Sequence, residues 1–362
     1  MMRLGRRQFL ASSAAMVFAG GAASSRLALG QTVAKVATYN WPSRSIQLAP
    51  DPDQLKPPVV TSVRIHKDAQ WLATAGDDHI VRVFSLSDGM QAHRMVKHTD
   101  WVRAVDYTPD GATLASGGND RCIFLWDAIS GEWKSQLARH EQAIANLRFS
   151  NRGLLLASAG FQDSVHLYDL PSSKLAHTIK APCRDMRALA FSRDDALLAT
   201  GGRCGTIRLV DTVSGQKARD IAAHKLRIRA LAFSPDTQFL ASTGEDRTIH
   251  IQPLEEGAAG YRLVIRPVKF MSLVFYGPHH LAAAGSDNLV RLWDVKERRE
   301  LGLLAGHTGT VAALDCLGKM LVSAGFDTTV RIWTVADNIA DGGEDGSRRV
   351  GGVPMGGETR KK

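Results

Sequence analysis

The chain has 362 residues, 44% hydrophobic and 22% charged, which fits one large folded domain or two ordinary ones and excludes a wholly disordered protein. Its formal net charge is +9, but four of those charges are arginines within the first thirty residues, a segment that we expect to be removed. The remainder is mildly basic, so net charge alone gives little reason to expect DNA or RNA as a partner.

Residues 1–30 have the pattern of an export signal. A basic start is followed by an apolar stretch too short to span a bilayer, and Ala28 and Gly30 provide the small residues of a cleavage site. The segment "GRRQFLA" resembles the twin-arginine signal, although Gly5 and Ala11 depart from it, and an ordinary secretory signal is the alternative. We therefore expect a bacterial protein that is periplasmic or secreted and meets the membrane only transiently, during export.

The rest of the chain repeats itself with a period of about 42 residues. One position closes a short apolar strand in each of seven copies: Ile65, Tyr107, Phe149, Phe191, Phe233, Phe275 and Cys316. A later turn position, usually aspartate, recurs in the same phase: Asp78, Asp120, Gln162, Cys204, Asp246, Asp287 and Asp327. Helical periodicity is absent from the copies and short strands are evenly spaced, so the repeat predicts an all-β architecture.

The period and two dipeptides that close the third strand, Trp126-Asp127 and Trp293-Asp294, resemble the WD-repeat family over about residues 45–335. The resemblance implies a seven-bladed β-propeller of four-stranded antiparallel blades. Several copies depart from the Trp-Asp pattern, namely Tyr168-Asp169, Val210-Asp211 and Trp333-Thr334.

The seventh copy lacks a fourth strand, because residues 337–362 are Gly-rich and charged and are predicted to form a disordered tail. A spare strand, "SRSIQLAP", lies at residues 43–50. We predict that it pairs with blade seven and closes the ring, as WD propellers generally close. The expected organisation is a signal peptide at 1–30, a linker at 31–44, the propeller at 45–336 and the tail at 337–362.

The family resemblance also assigns a structural hydrogen-bond network to several blades. In this family a histidine before the first strand reaches the turn aspartate, and a Ser or Thr and the tryptophan extend the network. The residues at these positions are His98, Ser116, Asp120 and Trp126 in blade two, His224, Ser242 and Asp246 in blade five, and His307, Ser323, Asp327 and Trp333 in blade seven. A buried unpaired partner costs about 1–3 kcal/mol, so we assign these histidines to structure rather than catalysis.

Blade four departs from this network. Pro182 takes the histidine position, Cys183 follows it, and Cys204 takes the aspartate position. In an exported protein, cysteines at the two ends of a contact made elsewhere by a hydrogen bond predict a Cys183–Cys204 disulfide, with two buried free thiols as the alternative. Cys122 and Cys316 belong to other blades and are expected to stay unpaired.

The sequence contains no phosphate loop, paired metal-ligand spacing, haem-attachment motif or nucleophile elbow, and we interpret His279-His280 as exposed loop. We therefore predict a non-catalytic interaction scaffold without metal or cofactor. The alternative is a propeller enzyme or cofactor-dependent protein with its site at the central channel.

In the WD-repeat family a common docking surface is the narrow top face, to which three positions per blade point. The residues predicted to bind there are Trp101, Arg103, Phe161, Arg187, Arg203, Arg227, Arg229, Glu245, Lys269 and Phe326. Arginine and aromatic residues are enriched at binding hot spots, and arginine favours carboxylates. We predict an acidic, partly apolar peptide or protein partner rather than nucleic acid, for a propeller that is monomeric within a larger assembly. Solvated arginines, or arginines paired with Asp185 and Glu245, are the alternative.

Overall fold

The computed structural model describes residues 38–52, 55–263 and 268–335. The expected signal peptide, part of the expected linker and the expected tail lie outside these residues. The regular secondary structure described is entirely β, and no helix among these residues is long and apolar enough to cross a membrane.

Seven four-stranded antiparallel sheets form the seven blades of a β-propeller, as predicted. Within the described residues, one strand, β1 (Ser43–Gln47), precedes the repeats. The strands of blades one to three are β2 (Val60–Ile65), β3 (Trp71–Gly76), β4 (Ile80–Ser85), β5 (Gln91–Val96), β6 (Val102–Tyr107), β7 (Thr113–Gly118), β8 (Cys122–Asp127), β9 (Trp133–Arg139), β10 (Ile144–Phe149), β11 (Leu155–Gly160), β12 (Ser164–Asp169) and β13 (Lys174–Lys180).

The remaining blades continue the same order. Their strands are β14 (Met186–Phe191), β15 (Leu197–Gly202), β16 (Thr206–Asp211), β17 (Lys217–Ala222), β18 (Ile228–Phe233), β19 (Phe239–Gly244), β20 (Ile249–Pro253), β21 (Tyr261–Leu263), β22 (Phe270–Phe275), β23 (His280–Gly285), β24 (Val290–Asp294), β25 (Arg299–Leu304), β26 (Val311–Leu317), β27 (Met320–Gly325) and β28 (Thr329–Thr334).

The second strand of each blade is buried on both faces rather than on one. In β7, for example, every residue after Thr113 is buried, and the sequence is "TLASGG". Neighbouring blades cover both faces of this strand, and its small side chains allow the sheets to pack closely. The outermost strands face water, as in β17, where only Ile221 is buried.

The ring is closed by the N-terminal strand, which confirms the sequence prediction. Strand β1 pairs antiparallel with β28, with Ser43 opposite Trp333 and Gln47 opposite Thr329. Blade seven therefore consists of β26, β27, β28 and β1.

Contacts with the ring begin before residue 45, where the repeat pattern placed the start of the propeller. The Tyr39 backbone N–H donates to the Leu303 carbonyl at 2.8 Å, and the buried Trp41 packs edge-on against Tyr276. The Tyr39 backbone and the Trp41 ring thus attach the segment before β1 to the ring of blades.

The first strands of the blades line a central channel, because consecutive first strands contact one another and β26 contacts β2. Each first strand carries a β-bulge near its start, where one residue has no partner on the second strand. A bulge re-aims its extra side chain. The seven bulged residues are Thr61, Arg103, Ala145, Arg187, Arg229, Met271 and Ala312.

Candidate functional site

All seven bulged residues line one cavity of about 290 Å³ at one end of the channel, which we call the upper cavity. Arg64 and Arg148 line it from below, and Trp101 and Phe326 line it at the rim. Its lining includes five arginines and no aspartate or glutamate. The bulges therefore concentrate positive charge at the mouth of the channel.

A second cavity, of about 450 Å³, occupies the other end of the channel and is called the lower cavity. Arg64 and Arg148 line both cavities, so they mark the boundary between them. Unlike the upper cavity, the lower one includes carboxylates, those of Asp106 and Asp315. The two ends of the channel thus differ in charge.

Cations and aromatic rings of the top face form one continuous surface. The Arg187 guanidinium lies 4.2 Å from the centre of the Phe161 ring, and Arg103 lies 5.7 Å from that ring and 5.6 Å from the Trp101 ring. Such contacts contribute about 0.5–1 kcal/mol each at exposed sites and hold the guanidinium groups in place. Trp101 is 42% exposed and Phe326 51% exposed, so both rings remain open to a partner.

Three of the predicted arginines are paired with carboxylates of the same face. Arg227 lies 2.7 Å from Asp185 and 2.9 Å from Glu245, while Arg187 also pairs with Asp185 and Arg229 with Glu245. Burial acts to raise the pKa of Glu245, but Arg229 and Arg227 outweigh it and lower that pKa. For Arg187, Arg227 and Arg229, the alternative stated from the sequence, that the arginines pair with Asp185 and Glu245, is therefore correct.

The other predicted cations of the top face have no carboxylate partner among the residues that the structure describes. Arg103 donates to the side-chain oxygen of Asn119 at 2.5 Å, and burial together with Arg187 lowers the pKa of Arg103. Arg203 and Lys269 are exposed. The predicted top-face residues thus include six cations, while Asp185 and Glu245 supply two carboxylates, so these eight side chains together carry a net positive charge.

In blade two the four residues assigned to the structural network lie together. The two ring nitrogens of His98 lie 2.7 Å from the Asp120 carboxylate and 2.7 Å from the Ser116 hydroxyl, and the Trp126 indole donates to Ser116 at 2.8 Å. Burial acts to raise the pKa of Asp120, but the bond from His98 outweighs it and lowers that pKa.

Blade seven repeats this arrangement. His307 lies 2.8 Å from Asp327 and 2.7 Å from Ser323, and the Trp333 indole donates to Ser323 at 2.9 Å. All four side chains are therefore linked in one network, as in blade two.

Blade five has the histidine contacts without the indole. His224 lies 2.9 Å from both Asp246 and Ser242, whereas the Gln252 amide donates to the carbonyls of Pro253 and Ala258. Gln252 thus satisfies its amide locally rather than joining the network.

Blade three holds a network that the sequence did not predict. His140 lies 3.0 Å from the Ser158 hydroxyl, 3.1 Å from the Tyr168 hydroxyl and 3.2 Å from the Gln162 amide. The sequence does contain a clue to this network, because His140 lies one repeat after His98. The clue is easily missed, since the turn position of this blade is Gln162 rather than aspartate.

The predicted disulfide is confirmed in blade four. Cys183 and Cys204 are bonded, with 6.0 Å between their Cα atoms, whereas Cys122 and Cys316 are free thiols. The bond joins the loop before the first strand to the turn after the second strand, the places that His98 and Asp120 join in blade two.

The interpretation of His279-His280 as exposed loop is wrong. Both residues are half-buried, since His280 begins β23 and stacks on Tyr276 at 5.4 Å while the His279 ring packs edge-on against Phe239 at 5.9 Å. Within the described ranges there is no group of three or more His, Cys, Asp or Glu side chains that could hold a metal ion.

The ring of seven four-stranded blades and its repeated buried histidine contacts define the class of protein, a β-propeller with WD-type blades. The family model of the first β-propeller of IFT122 matches residues 59–302, and the model of the WD domain, G-beta repeat, matches residues 298–334. The chain belongs to the WD-repeat β-propeller family.

Curated relatives match short parts of the chain. Mitochondrial division protein 1 of Mycosarcoma maydis is 36% identical over 81 residues, which are 22% of this chain and 10% of that protein. The p21-activated protein kinase-interacting protein 1-like of Danio rerio is 36% identical over 67 residues, 18% of each protein. The ribosome biogenesis protein WDR12 homolog of Chlamydomonas reinhardtii is 37% identical over 62 residues, 15% of this chain and 14% of that protein. In all three, the match covers less than a fifth of the relative's length.

Proposed function

We propose that this protein is an exported, non-catalytic interaction scaffold that binds an acidic, partly apolar peptide or protein segment on its top face. One observation carries the proposal: Arg103 and Arg187 at the channel mouth lie against the rings of Phe161 and the exposed Trp101, and cations outnumber carboxylates there. Rigid aromatic anchors beside arginine are the usual energetic centre of protein interfaces.

The pairing of Arg187, Arg227 and Arg229 with Asp185 and Glu245 fits this proposal. Glu245 is the more accessible of the two carboxylates, with 29% of its side chain exposed, whereas Asp185 is buried, so a partner carboxylate competes most readily with Glu245 for the guanidinium groups of Arg227 and Arg229. The existing pairs hold the arginines in position, which reduces the conformational entropy lost on binding. Charge complementarity of this kind speeds association and makes it depend on salt.

Three further observations support an exported protein with a protein partner. The first thirty residues resemble an export signal, and a structural disulfide is typical of proteins in oxidising compartments such as the periplasm. A relative from Danio rerio is named as a kinase-interacting protein, which favours a protein as partner. We infer a monomeric propeller within a larger assembly.

The test uses two labelled, end-capped peptides of about twelve residues, one of glutamate interspersed with leucine and phenylalanine, the other with glutamine for glutamate. Binding is measured by fluorescence anisotropy over a range of salt concentrations. The variants are the double substitution Arg187→Glu with Arg227→Glu, and Trp101→Ala. The control carries Arg152→Glu with Arg193→Glu, exposed arginines in turns at the other end of the first strands.

We expect the glutamate peptide to bind the parent protein and the control, with an affinity that falls as salt rises. The double variant should bind at least about tenfold more weakly, which corresponds to about 1.4 kcal/mol. Equal binding of all variants, or equal binding of the glutamine peptide, would contradict the proposal.

A further inference from the structure

A ring of residues crosses the middle of the channel, one from each first strand, at the position just before the strand-closing residue. Its members, from blade one to blade seven, are Arg64, Asp106, Arg148, Ala190, Ala232, Val274 and Asp315. The ring is charged in blades seven, one, two and three, and apolar in blades four to six. It carries equal numbers of cations and anions, but their contacts are unequal.

Arg64 uses both carboxylates of the ring. Its guanidinium lies 2.8 Å from Asp106 and 3.2 Å from Asp315. The second oxygen of Asp106 accepts the Phe149 backbone N–H at 2.7 Å, and that of Asp315 accepts the Ile65 backbone N–H at 2.7 Å. Both carboxylates are therefore already bound on each oxygen.

Arg148 has no such partner. Its one hydrogen bond to a described residue is donated to the carbonyl of Leu147 at 2.9 Å, and the ring neighbour on its other side is Ala190. Burial and the charge of Arg64 lower the pKa of Arg148 to about 10, although the charges of Asp106 and Asp315 act to raise it, so the side chain is still a cation at neutral pH. Arg148 is half-buried and lines both cavities; a partly buried cation without a bound counter-ion is unfavourable, and a bound anion relieves that cost.

The upper cavity above Arg148 offers further hydrogen-bond donors. The Ser62 hydroxyl accepts the Val105 N–H at 3.2 Å and the Ser272 hydroxyl accepts the Leu314 N–H at 3.1 Å, which leaves each hydroxyl proton available. Both serines line the cavity, as does Arg103 at its rim. The cavity thus combines two guanidinium groups that lack a carboxylate partner among the described residues with neutral donors.

We propose that the upper cavity is an oxyanion site that binds a carboxylate, with Arg148 at its floor and Arg103 at its rim. A volume of about 290 Å³ accommodates a short acidic group rather than a folded segment. The carboxylate can be an acidic side chain of the segment bound on the top face, in which case this inference rests on the proposed function, or a free small carboxylate. The chemistry at Arg148 is the same for both.

The experiment compares the parent protein with Arg148→Met, Arg148→Lys and the exposed control Arg193→Met. The probes are free glutarate and the glutamate peptide, measured by calorimetry and by thermal unfolding. We expect Arg148→Met to weaken binding of at least one probe about tenfold or more, Arg148→Lys to weaken it less, and the control to bind as the parent does. Without probe, Arg148→Met should unfold at the same or a higher temperature, because an unpaired cation has been removed.

The source of the carboxylate follows from which probe binds. Glutarate binding that depends on Arg148 indicates a free ligand, and peptide binding that depends on Arg148, without glutarate binding, indicates a side chain; either supports the site. Peptide binding that is lost in the Arg187→Glu, Arg227→Glu variant but kept in Arg148→Met overturns the site and leaves the proposed function standing. Glutarate binding through Arg148 without peptide binding supports the site and overturns the proposed function. Failure of both probes to bind the parent, or a strongly destabilised Arg148→Met with unchanged binding, overturns the site.

Discussion

Blades two and four join the same two places in different ways. In blade two, His98 and Asp120 are hydrogen-bonded, and Ser116 and Trp126 support the imidazole from beneath. In blade four a covalent bond between Cys183 and Cys204 makes the join.

The residues beneath the join differ accordingly. Val210 takes the place of the tryptophan in blade four and is fully buried, and Thr200 takes the place of the serine, bonding to the Arg208 carbonyl at 3.5 Å. A disulfide needs no buried donor to orient it, so the core under it is free to become apolar. What the repeat requires at this position is a link between loop and turn, and not a particular side chain.

Among the changes considered, breaking the contact between His98 and Asp120 in blade two should reduce the free energy of unfolding most. His98→Ala leaves a cavity and removes the buried partner of Asp120, so we expect a loss of about 4 kcal/mol in the free energy of unfolding. Urea denaturation of His98→Ala beside Thr99→Ala checks this, because Thr99 contributes only its backbone N–H to Asp120. A loss no greater than that of the control would mean that the network does not hold the blade.

Breaking the link in blade four should cost somewhat less. Replacing Cys183 and Cys204 by serine removes a cross-link with a sequence separation of 21, worth about 3 kcal/mol in the chain-entropy model. Reductant should lower the stability of the parent protein and of Cys316→Ser, but not that of the double variant. Alkylation under denaturing conditions should leave two cysteines protected until reduction; four reactive thiols at the outset would contradict the disulfide.

Blade three differs from blade two because Gln162 takes the place of the turn aspartate beside its histidine, His140. We therefore expect blade three to make the stability of the protein depend on pH. Burial, with His166 nearby, lowers the pKa of His140 to about 4, against about 6.5 in an unfolded chain. Below pH 6.5 the unfolded chain binds the proton and the folded protein does not, so stability falls as pH drops towards 4. At pH 5 this histidine should account for a loss of about 2 kcal/mol.

The substitution Gln162→Asp restores the carboxylate that blade two has. It should raise the pKa of His140 and reduce the loss of unfolding free energy between pH 7.5 and pH 5. Denaturation curves of both proteins at the two pH values measure the difference, which separates His140 from other histidines that also titrate. An equal loss in both proteins would show that Gln162 does not occupy the role of Asp120.

The phased strand-closing residues and turn aspartates predict seven copies of one all-β unit, and the resemblance to the WD-repeat family implied the blades, the closing strand and the contact that the disulfide replaces. Each of these depends on the position within one repeat. The ion pair of Arg227 with Asp185 joins residues of two different blades, so the repeat pattern offered it only as an alternative to arginines that bind a partner. The absence of an ion pair at Arg148 among the described residues was hidden for the same reason, because Asp106 pairs with Arg64 of the neighbouring blade instead. Position in the repeat predicts where a side chain lies, whereas its partner depends on what the neighbouring blade offers.

Closure of the ring by β1 has a consequence for the order in which the protein folds. Ser43 pairs with Trp333 across almost the entire propeller, so β1, which is synthesised before all seven repeats, can pair only after the last of them has been made. Contacts so distant in sequence form slowly, and until then β28 keeps an open edge that can recruit a strand from another chain. The edge of β28 is therefore covered by β1 only when every blade between the two strands is present, so an incomplete ring keeps this edge exposed.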